Sequence, residues 1–253
     1  MNIETISCLN DNYSYLISDE QTNTVAIIDP SEFSPCDKKI NQKYEKLDFI
    51  LNTHHHFDHV GGNIELKKKY GSKILGYETD KKRIPEIDIL LKENQEFKVG
   101  CLNFKTIFIP GHTSGHIAFY LKKEKVVFTG DTLFSLGCGK VFEGTYKEMF
   151  ESLNKIKNLP GDTKIYCGHE YTESNLRFCL KFDPNNKYLK DKEKIIYKTI
   201  KEKKPTIPSI IKDEIQTNIF LRYDDPDIKN MLNLEKASDI EIFTKLRDLK
   251  DNF

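Results

Sequence analysis

Residues 51–62, LNTHHHFDHVGG, put four of the chain's seven histidines and one aspartate into six consecutive positions. So many ionisable groups repel one another or stay unpaired unless a cation lies among them, so the cluster predicts a metal site. In an extended segment side chains alternate, which turns His54, His56 and Asp58 one way and His55 and Phe57 the other. Side chains two residues apart can bring ring nitrogens to the roughly 3.4 Å that separates two ligands on one tetrahedral zinc, so His54 and His56 are expected to share an ion. Asp58 and His59 come where the chain turns and can face a second point beside the first, which suggests two metals.

Two ions need further donors, and three polar residues follow apolar runs elsewhere: His112 in PGHTSGH, Asp131 in FTGDTLF and His169 in CGHEYT. A carboxylate directly after VVFTG is costly to desolvate unless something positive meets it, and its two oxygens can bridge two cations, so Asp131 is the expected bridge. The tally leaves room for a shared water between ions about 3.5–4 Å apart. A lone buried histidine is commonly a hydrogen-bonded core residue, and that is the alternative for His169 taken alone. His55 and His116 are expected to support the site or the fold without binding metal. His/Asp donor sets accept zinc, iron or manganese.

Strands and helices must present these groups. IETISCL, YSYLIS and TVAIIDP are short, rich in β-branched and aromatic residues and separated by turn clusters, so they read as a strand meander. A poorly patterned polar segment follows, and then DFILNT, an apolar run suited to a strand buried on both faces. After the histidine cluster, Asn63 as cap, a short amphipathic stretch and Gly71 as stop signal a helix. The order recurs: LNFKTIFIP before GHTSGH, KVVFTGD before a helix near 145–158, and TKIYCGHEYT before another. This alternation predicts a layered α/β domain with mixed sheets over residues 1–170. Residues 171–253 read as a smaller helical domain without a strand signal. Its last helix opens on Ser238 and Glu241, a capping box, with an apolar stripe of Ile240, Phe243, Leu246 and Leu249 beside Arg247 and Lys250.

Lys plus Arg equals Asp plus Glu at 39 each over 253 residues, so no net field draws the chain to nucleic acid or to an anionic membrane. Apolar residues at 38% fit a soluble globular protein, and no stretch reaches the roughly 20 apolar residues that span a bilayer. The start MNIETISCLN lacks a secretory pattern, and the six cysteines form no CxxC pair. A cytoplasmic protein with free thiols is expected, acting on a small molecule as a monomer without nucleic-acid or membrane partners.

THHHFDH, PGHTSGH, FTGDTLF and CGHEYT, in that order, resemble the metallo-β-lactamase superfamily and, within it, the glyoxalase II (hydroxyacylglutathione hydrolase) family. The likeness extends to CLNDNYSYLI, SLGCGKVFEGT, KPTIPS and the terminal LRDLKDNF, nearly the whole chain. It implies an αββα sandwich carrying a binuclear site, zinc first among the candidate metals, with a helical C-terminal domain that helps bind glutathione. By the same resemblance His54, His56 and His112 hold one ion and Asp58, His59 and His169 the other, with Asp131 bridging. Lys140 in GCGK, Phe142 through its backbone, Tyr171, Arg247 and Lys250 contact the substrate. Phe142 stands where some members have tyrosine, and Ile219 in NIFLR where proline is usual.

The implied activity is hydrolysis of S-D-lactoylglutathione and related S-2-hydroxyacylglutathiones to glutathione and D-lactate or its analogue, the second step of methylglyoxal detoxification. A water bridging two divalent cations loses its proton far more readily than bulk water, so a metal-bridging hydroxide, held by Asp58 and Asp131, is the expected nucleophile. Lys140, Arg247 and Lys250 would supply locally the positive charge that the chain lacks overall. The competing readings are a mononuclear-iron glutathione persulfide dioxygenase, another hydrolase of the same fold, and a non-catalytic metal-dependent module. The GCGK segment and C-terminal appendage argue against the first, and a donor set with room for water argues against the last.

Overall fold

A computed structural model describes residues 1–253 as two compact units, residues 1–108 with 113–130 and residues 109–112 with 131–253. This division does not follow the change of sequence character near residue 170. Residues 131–169 pack with the C-terminal helices, for instance through the rings of Phe150 and Phe243, 5.7 Å apart.

In the first unit β1 (Asn2–Cys8), β2 (Asn12–Asp19) and β3 (Thr24–Ile28) form the antiparallel meander. Helix α1 (Phe33–Lys43) then leads to β4 (Phe49–Leu51), α2 (Phe57–Val60), α3 (Asn63–Tyr70), β5 (Lys73–Tyr77) and β6 (Ile89–Leu91). Strands β3 to β6 pair in parallel, and Ile27, Ile50 and Ile74 lie in register across them, each fully buried. Continuous apolar runs are what parallel strands covered on both faces require. Cys36 and Ile40 of α1 and Leu66 of α3 cover one face of this sheet. The other face meets an antiparallel set, β7 (Glu96–Val99), β8 (Leu102–Phe108), β9 (Ile117–Leu121) and β10 (Val126–Gly130). Tyr15 meets Phe128 at 5.4 Å and Tyr77 stacks on Phe108 at 4.7 Å between the two sheets.

Helix α1 occupies the segment read as patternless. Only two of its positions, Cys36 and Ile40, are buried, and one i,i+4 pair on an otherwise polar helix is too thin a periodic signal. Asn63 is not the cap of α3: Gly62 occupies that position, and the Asn63 amide turns inward to donate to Asn52 Oδ1 at 2.8 Å. Gly71 ends the helix in the left-handed conformation, φ 71°, as expected.

The second unit contains a hairpin of β11 (Leu133–Phe134) and β12 (Gly137–Cys138), helix α4 (Tyr146–Lys157) and strand β13 (Lys164–Cys167). Helices α5 (Thr172–Phe182) and α6 (Lys187–Lys201) follow, then β14 (Ser209–Ile210), α7 (Ile211–Thr217), α8 (Pro226–Met231) and α9 (Asp239–Asp251). Strand β14, antiparallel to β13, lies where no strand is expected, since two residues carry no propensity signal. Ile219 starts a single 3₁₀ turn, fully buried, and the Asn218 side chain caps it by accepting from Phe220 N–H, so the turn forms without proline. In α9 the Glu241 carboxylate accepts from both the N–H and the hydroxyl of Ser238. Its buried face is Ile242, Phe243, Leu246 and Arg247, with Ile240 and Leu249 only half-buried, because Arg247 turns in to a backbone carbonyl. No helix of the chain is long and apolar enough to cross a membrane.

Candidate metal centre

Within the first unit the cluster begins immediately beyond β4. The rings of His54 and His56 lie 4.8 Å apart, and those of His54 and His59 4.1 Å apart. The one-turn helix α2 brings His59 back toward His54, with His59 N–H donating to the His56 carbonyl at 2.9 Å. Asp58 Oδ2 lies 3.5 Å from His59 Nε2 and accepts from the Asn12 amide at 2.9 Å. A Cβ on Gly61 would overlap the Ser31 carbonyl, so glycine lets α2 sit this close to the loop after β3.

Asp29, just past the apolar end of β3 with φ 47°, organises the cluster. Its Oδ1 accepts from Thr53 N–H at 2.8 Å, and its Oδ2 accepts from the Thr53 hydroxyl at 2.6 Å and from His59 Nδ1 at 3.1 Å. A carboxylate only accepts, so His59 carries its proton on Nδ1 and its lone pair on Nε2. The Thr53 hydroxyl, having given its proton to Asp29, must accept from His54 Nδ1 at 3.0 Å, which assigns the lone pair of His54 to Nε2 as well. Asp29 is a functional candidate that the sequence reading missed. The signal that singled out Asp131, a carboxylate directly after a buried strand, was present in TVAIID.

His116 stacks on His54 with centroids 4.6 Å apart, and His55 faces Asp80 at 3.5 Å.

In the second unit Asp131 Oδ2 lies 3.1 Å from His169 Nε2 and 3.5 Å from His112 Nε2. His112 Nδ1 is 2.8 Å from the Lys140 carbonyl, which can only accept, so here too Nε2 holds the lone pair. Tyr171 stacks on His169, centroids 4.7 Å apart and planes within 4°. Phe142 is exposed, and its ring meets that of His112 edge-on at 5.2 Å while its N–H donates to the His112 carbonyl at 3.3 Å. Lys140 is exposed, its Nζ 5.9 Å from the Phe142 ring.

Arg247 is 4% exposed: Nη1 donates to the Cys138 carbonyl at 2.7 Å and Nη2 pairs with Asp251 at 2.8 Å. Lys250 is half-buried, with Nζ 3.4 Å from the Ser174 hydroxyl, and burial together with repulsion by Arg247 lowers its pKa below the ordinary lysine value. The two cations that the sequence places side by side therefore differ in exposure.

These donors fit divalent metal. Three imidazoles are oriented by an acceptor at Nδ1 so that Nε2 is the coordinating nitrogen, the arrangement that partners of metal-bound histidines impose. In the first unit Asp29, His54 and His59 have donor atoms within 4.8 Å of one another, and because Asp29 already accepts from Thr53 and from His59 Nδ1 it orients this group and is not one of its ligands. In the second, two Nε2 atoms converge on one carboxylate oxygen.

Comparison with known proteins agrees with this chemistry. Residues 10–169 match the metallo-beta-lactamase superfamily, and residues 170–253 match the hydroxyacylglutathione hydrolase C-terminus. A hydroxyacylglutathione hydrolase of Pelagibacter ubique is 54% identical over 253 residues, all of both chains. The crystal structure of ETHE1 from Myxococcus xanthus superposes with a TM-score of 0.70 at 22% identity, covering 98% of this chain and 90% of that one. That of TTHA1623 in a di-iron-bound form gives 0.55 at 26% identity, covering 67% and 92% respectively.

Proposed function

This chain belongs to the hydroxyacylglutathione hydrolase family of the metallo-β-lactamase superfamily, and on that premise we propose that it hydrolyses S-D-lactoylglutathione and related S-2-hydroxyacylglutathiones to glutathione and the free hydroxy acid. The observation that carries the reading to metal-dependent hydrolysis is the common orientation of His54, His59 and His112, each with its coordinating nitrogen set by an acceptor at Nδ1.

We propose that His54, His56 and His112 hold one divalent ion and Asp58, His59 and His169 a second, with Asp131 shared. Zinc is the first candidate, and the di-iron form of TTHA1623 supports both the pair and iron as an alternative. When bound, such a pair acidifies a water and polarises a carbonyl oxygen.

The chain's own groups do the rest. Asp29 and Thr53 keep the imidazoles in one tautomer, so no ring must flip when the site loads. The Asp131 carboxylate has an oxygen for each of two cations. Asp58, steadied by the Asn12 amide, faces His59 and brings a second carboxylate to the attacking water. Tyr171 is packed flat on His169 and offers its hydroxyl to the substrate.

Lys140 and Lys250 attract the carboxylates of glutathione, Phe142 offers its backbone, and Arg247 braces the GCGK segment that carries Lys140. Water attacks the thioester carbon, the C–S bond breaks, and glutathione leaves as a thiolate, a leaving group that needs no strong acid. Six free cysteines, five of them buried, suit a reducing compartment, and we propose a cytoplasmic monomer.

Incubating the purified protein with S-D-lactoylglutathione, with metal analysis on the same sample, tests this. Thioester loss with stoichiometric thiol release and two metals per chain is the expected result. Oxygen consumption with glutathione persulfide, one iron per chain and no thioesterase activity would replace it with the dioxygenase reading.

A further inference from the structure

We propose that Glu214 and Asn218, on and just after α7, are positioning residues for the substrate-binding Lys140: they fix the β11–β12 hairpin from which Lys140 projects. The inference rests on the reading of Lys140 as a glutathione contact.

The hairpin is too short to hold itself. Each strand has two residues, and the connection Ser135–Leu136 puts a non-glycine residue, Leu136, at φ 59°. That left-handed conformation is unfavourable for an L-residue with a side chain. The surrounding backbone is buried, so its polar groups must find partners.

Side chains from the C-terminal segment provide them. Glu214, fully buried, accepts from Leu136 N–H at 2.7 Å and from the Ser135 hydroxyl at 3.3 Å. Its charge is matched by Lys192 Nζ at 2.6 Å. Asn218, also fully buried, donates to the Gly137 carbonyl at 3.1 Å, to that of Phe134 at 3.3 Å and to Glu214 at 3.1 Å. Asn175 adds a bond to the Ser135 carbonyl at 3.1 Å.

Glutamate suits the place because one carboxylate accepts at once from a backbone amide, a hydroxyl, an ammonium and an amide side chain, and asparagine because it donates twice to opposite strands of the hairpin. Two residues beyond β12 stands Lys140. A hairpin pinned at its tip and at both strands delivers that side chain in one place, so less ordering accompanies substrate binding.

Steady-state kinetics of the metal-loaded full chain tests this with Glu214→Gln, Lys140→Ala and the double variant. Two substrates are used: S-D-lactoylglutathione, and the S-D-lactoyl thioester of N-acetylcysteamine, which lacks the glutathione carboxylates. Glutamine keeps the volume and removes the charge that Lys192 and Leu136 N–H need. The expected result is a KM for the glutathione thioester raised about tenfold by Glu214→Gln, the loss of roughly one well-placed charged contact. The short thioester should be hydrolysed with unchanged kcat/KM, and Glu214→Gln should add little to Lys140→Ala, because both remove the same contact.

Effects that add fully, or equal losses of kcat on both substrates with KM unchanged, would make Glu214 a general stabiliser and overturn the proposal. If Lys140→Ala raises KM while Glu214→Gln does not, positioning alone fails. If Lys140→Ala leaves KM unchanged, the substrate reading of Lys140 fails and takes the proposal with it. Asn218→Ala, which keeps the Glu214–Leu136 bond, decides the same question if Glu214→Gln gives no soluble protein.

Discussion

The ligand cluster of the first unit and the cationic surface of the second are built by opposite means. His54 and His59 are fully buried and their protons are dictated by Asp29, so every donor in the chain Asp29–Thr53–His54 has a single arrangement. Lys140 is exposed and Lys250 half-buried, and their ammonium groups are held by long contacts to a ring and to the Ser174 hydroxyl. A group that must hold a divalent ion gains from rigidity, since a misoriented imidazole loses its bond to the metal. A group that receives a flexible peptide can have its backbone fixed, as the β11–β12 hairpin is, and still leave the ammonium end free to meet the substrate. Loss of a residue in the first region should therefore show in metal content and turnover, and loss in the second in KM.

The largest effect expected is that of Asp131→Ala. It removes the carboxylate on which His112 and His169 converge, so metal content should drop and turnover fall at least ~10³-fold, about 4 kcal/mol in barrier height. A variant that keeps two ions per chain and the parent rate would break the assignment of Asp131 as the shared ligand. Asp29→Asn comes next. It nearly preserves shape, but the amide has one oxygen where the carboxylate has two, so either Thr53 N–H or the Thr53 hydroxyl together with His59 Nδ1 loses its acceptor and faces an NH2 instead. Metal affinity should weaken by roughly 10- to 100-fold, read by competition with a chelator. Unchanged affinity would mean that the tautomers are set elsewhere.

The same contrast explains which parts could be read from the sequence. HxHxDH is legible because its argument is local: the six residues lie in the loop just past β4 and in the one-turn helix α2, although that loop is not the extended strand that alternation assumes and Asp58 stands on the helix. The meander and β4 are legible because apolar runs such as TVAII and DFIL have no stable place except inside a sheet, whereas β5 and β6, which continue the parallel pairing, are not among the strands read from the sequence. Asp29 is hidden by distance, for its partners lie 24 and 30 residues away, and only the fold shows that the ends of β3 and β4 abut. Arg247 is hidden for the same reason. Helical periodicity puts it beside Lys250 on an open face, yet its guanidinium finds a carbonyl 109 residues earlier and is buried there. Glu214 and Asn218 look like ordinary polar positions on a short helix until the hairpin they hold is in view.

Smaller effects belong to the second region. Lys140→Ala should raise KM for S-D-lactoylglutathione several-fold to tenfold, up to about 1.4 kcal/mol, with kcat changed less, if the lysine contacts the part of the substrate that does not react, as proposed. A fall in kcat at constant KM would instead move Lys140 into the chemical step.

The last and smallest effect concerns pH. In the proposed role Lys250 can bind a carboxylate only as the ammonium ion, and burial and the neighbouring Arg247 lower its pKa, so it loses its proton at a lower pH than an exposed lysine would. The thiol of Cys179 nearby is pushed up to about 12 by burial and stays neutral through this range, so it adds no compensating negative charge. KM should therefore be constant at neutral pH and rise as pH increases through the depressed lysine pKa, with kcat flat over the same interval. Lys250→Arg keeps the charge at every accessible pH, since guanidinium does not deprotonate there, and should remove the alkaline rise in KM even if its absolute value differs. An alkaline limb that survives Lys250→Arg would belong to another group and would leave Lys140 as the main cation for the substrate.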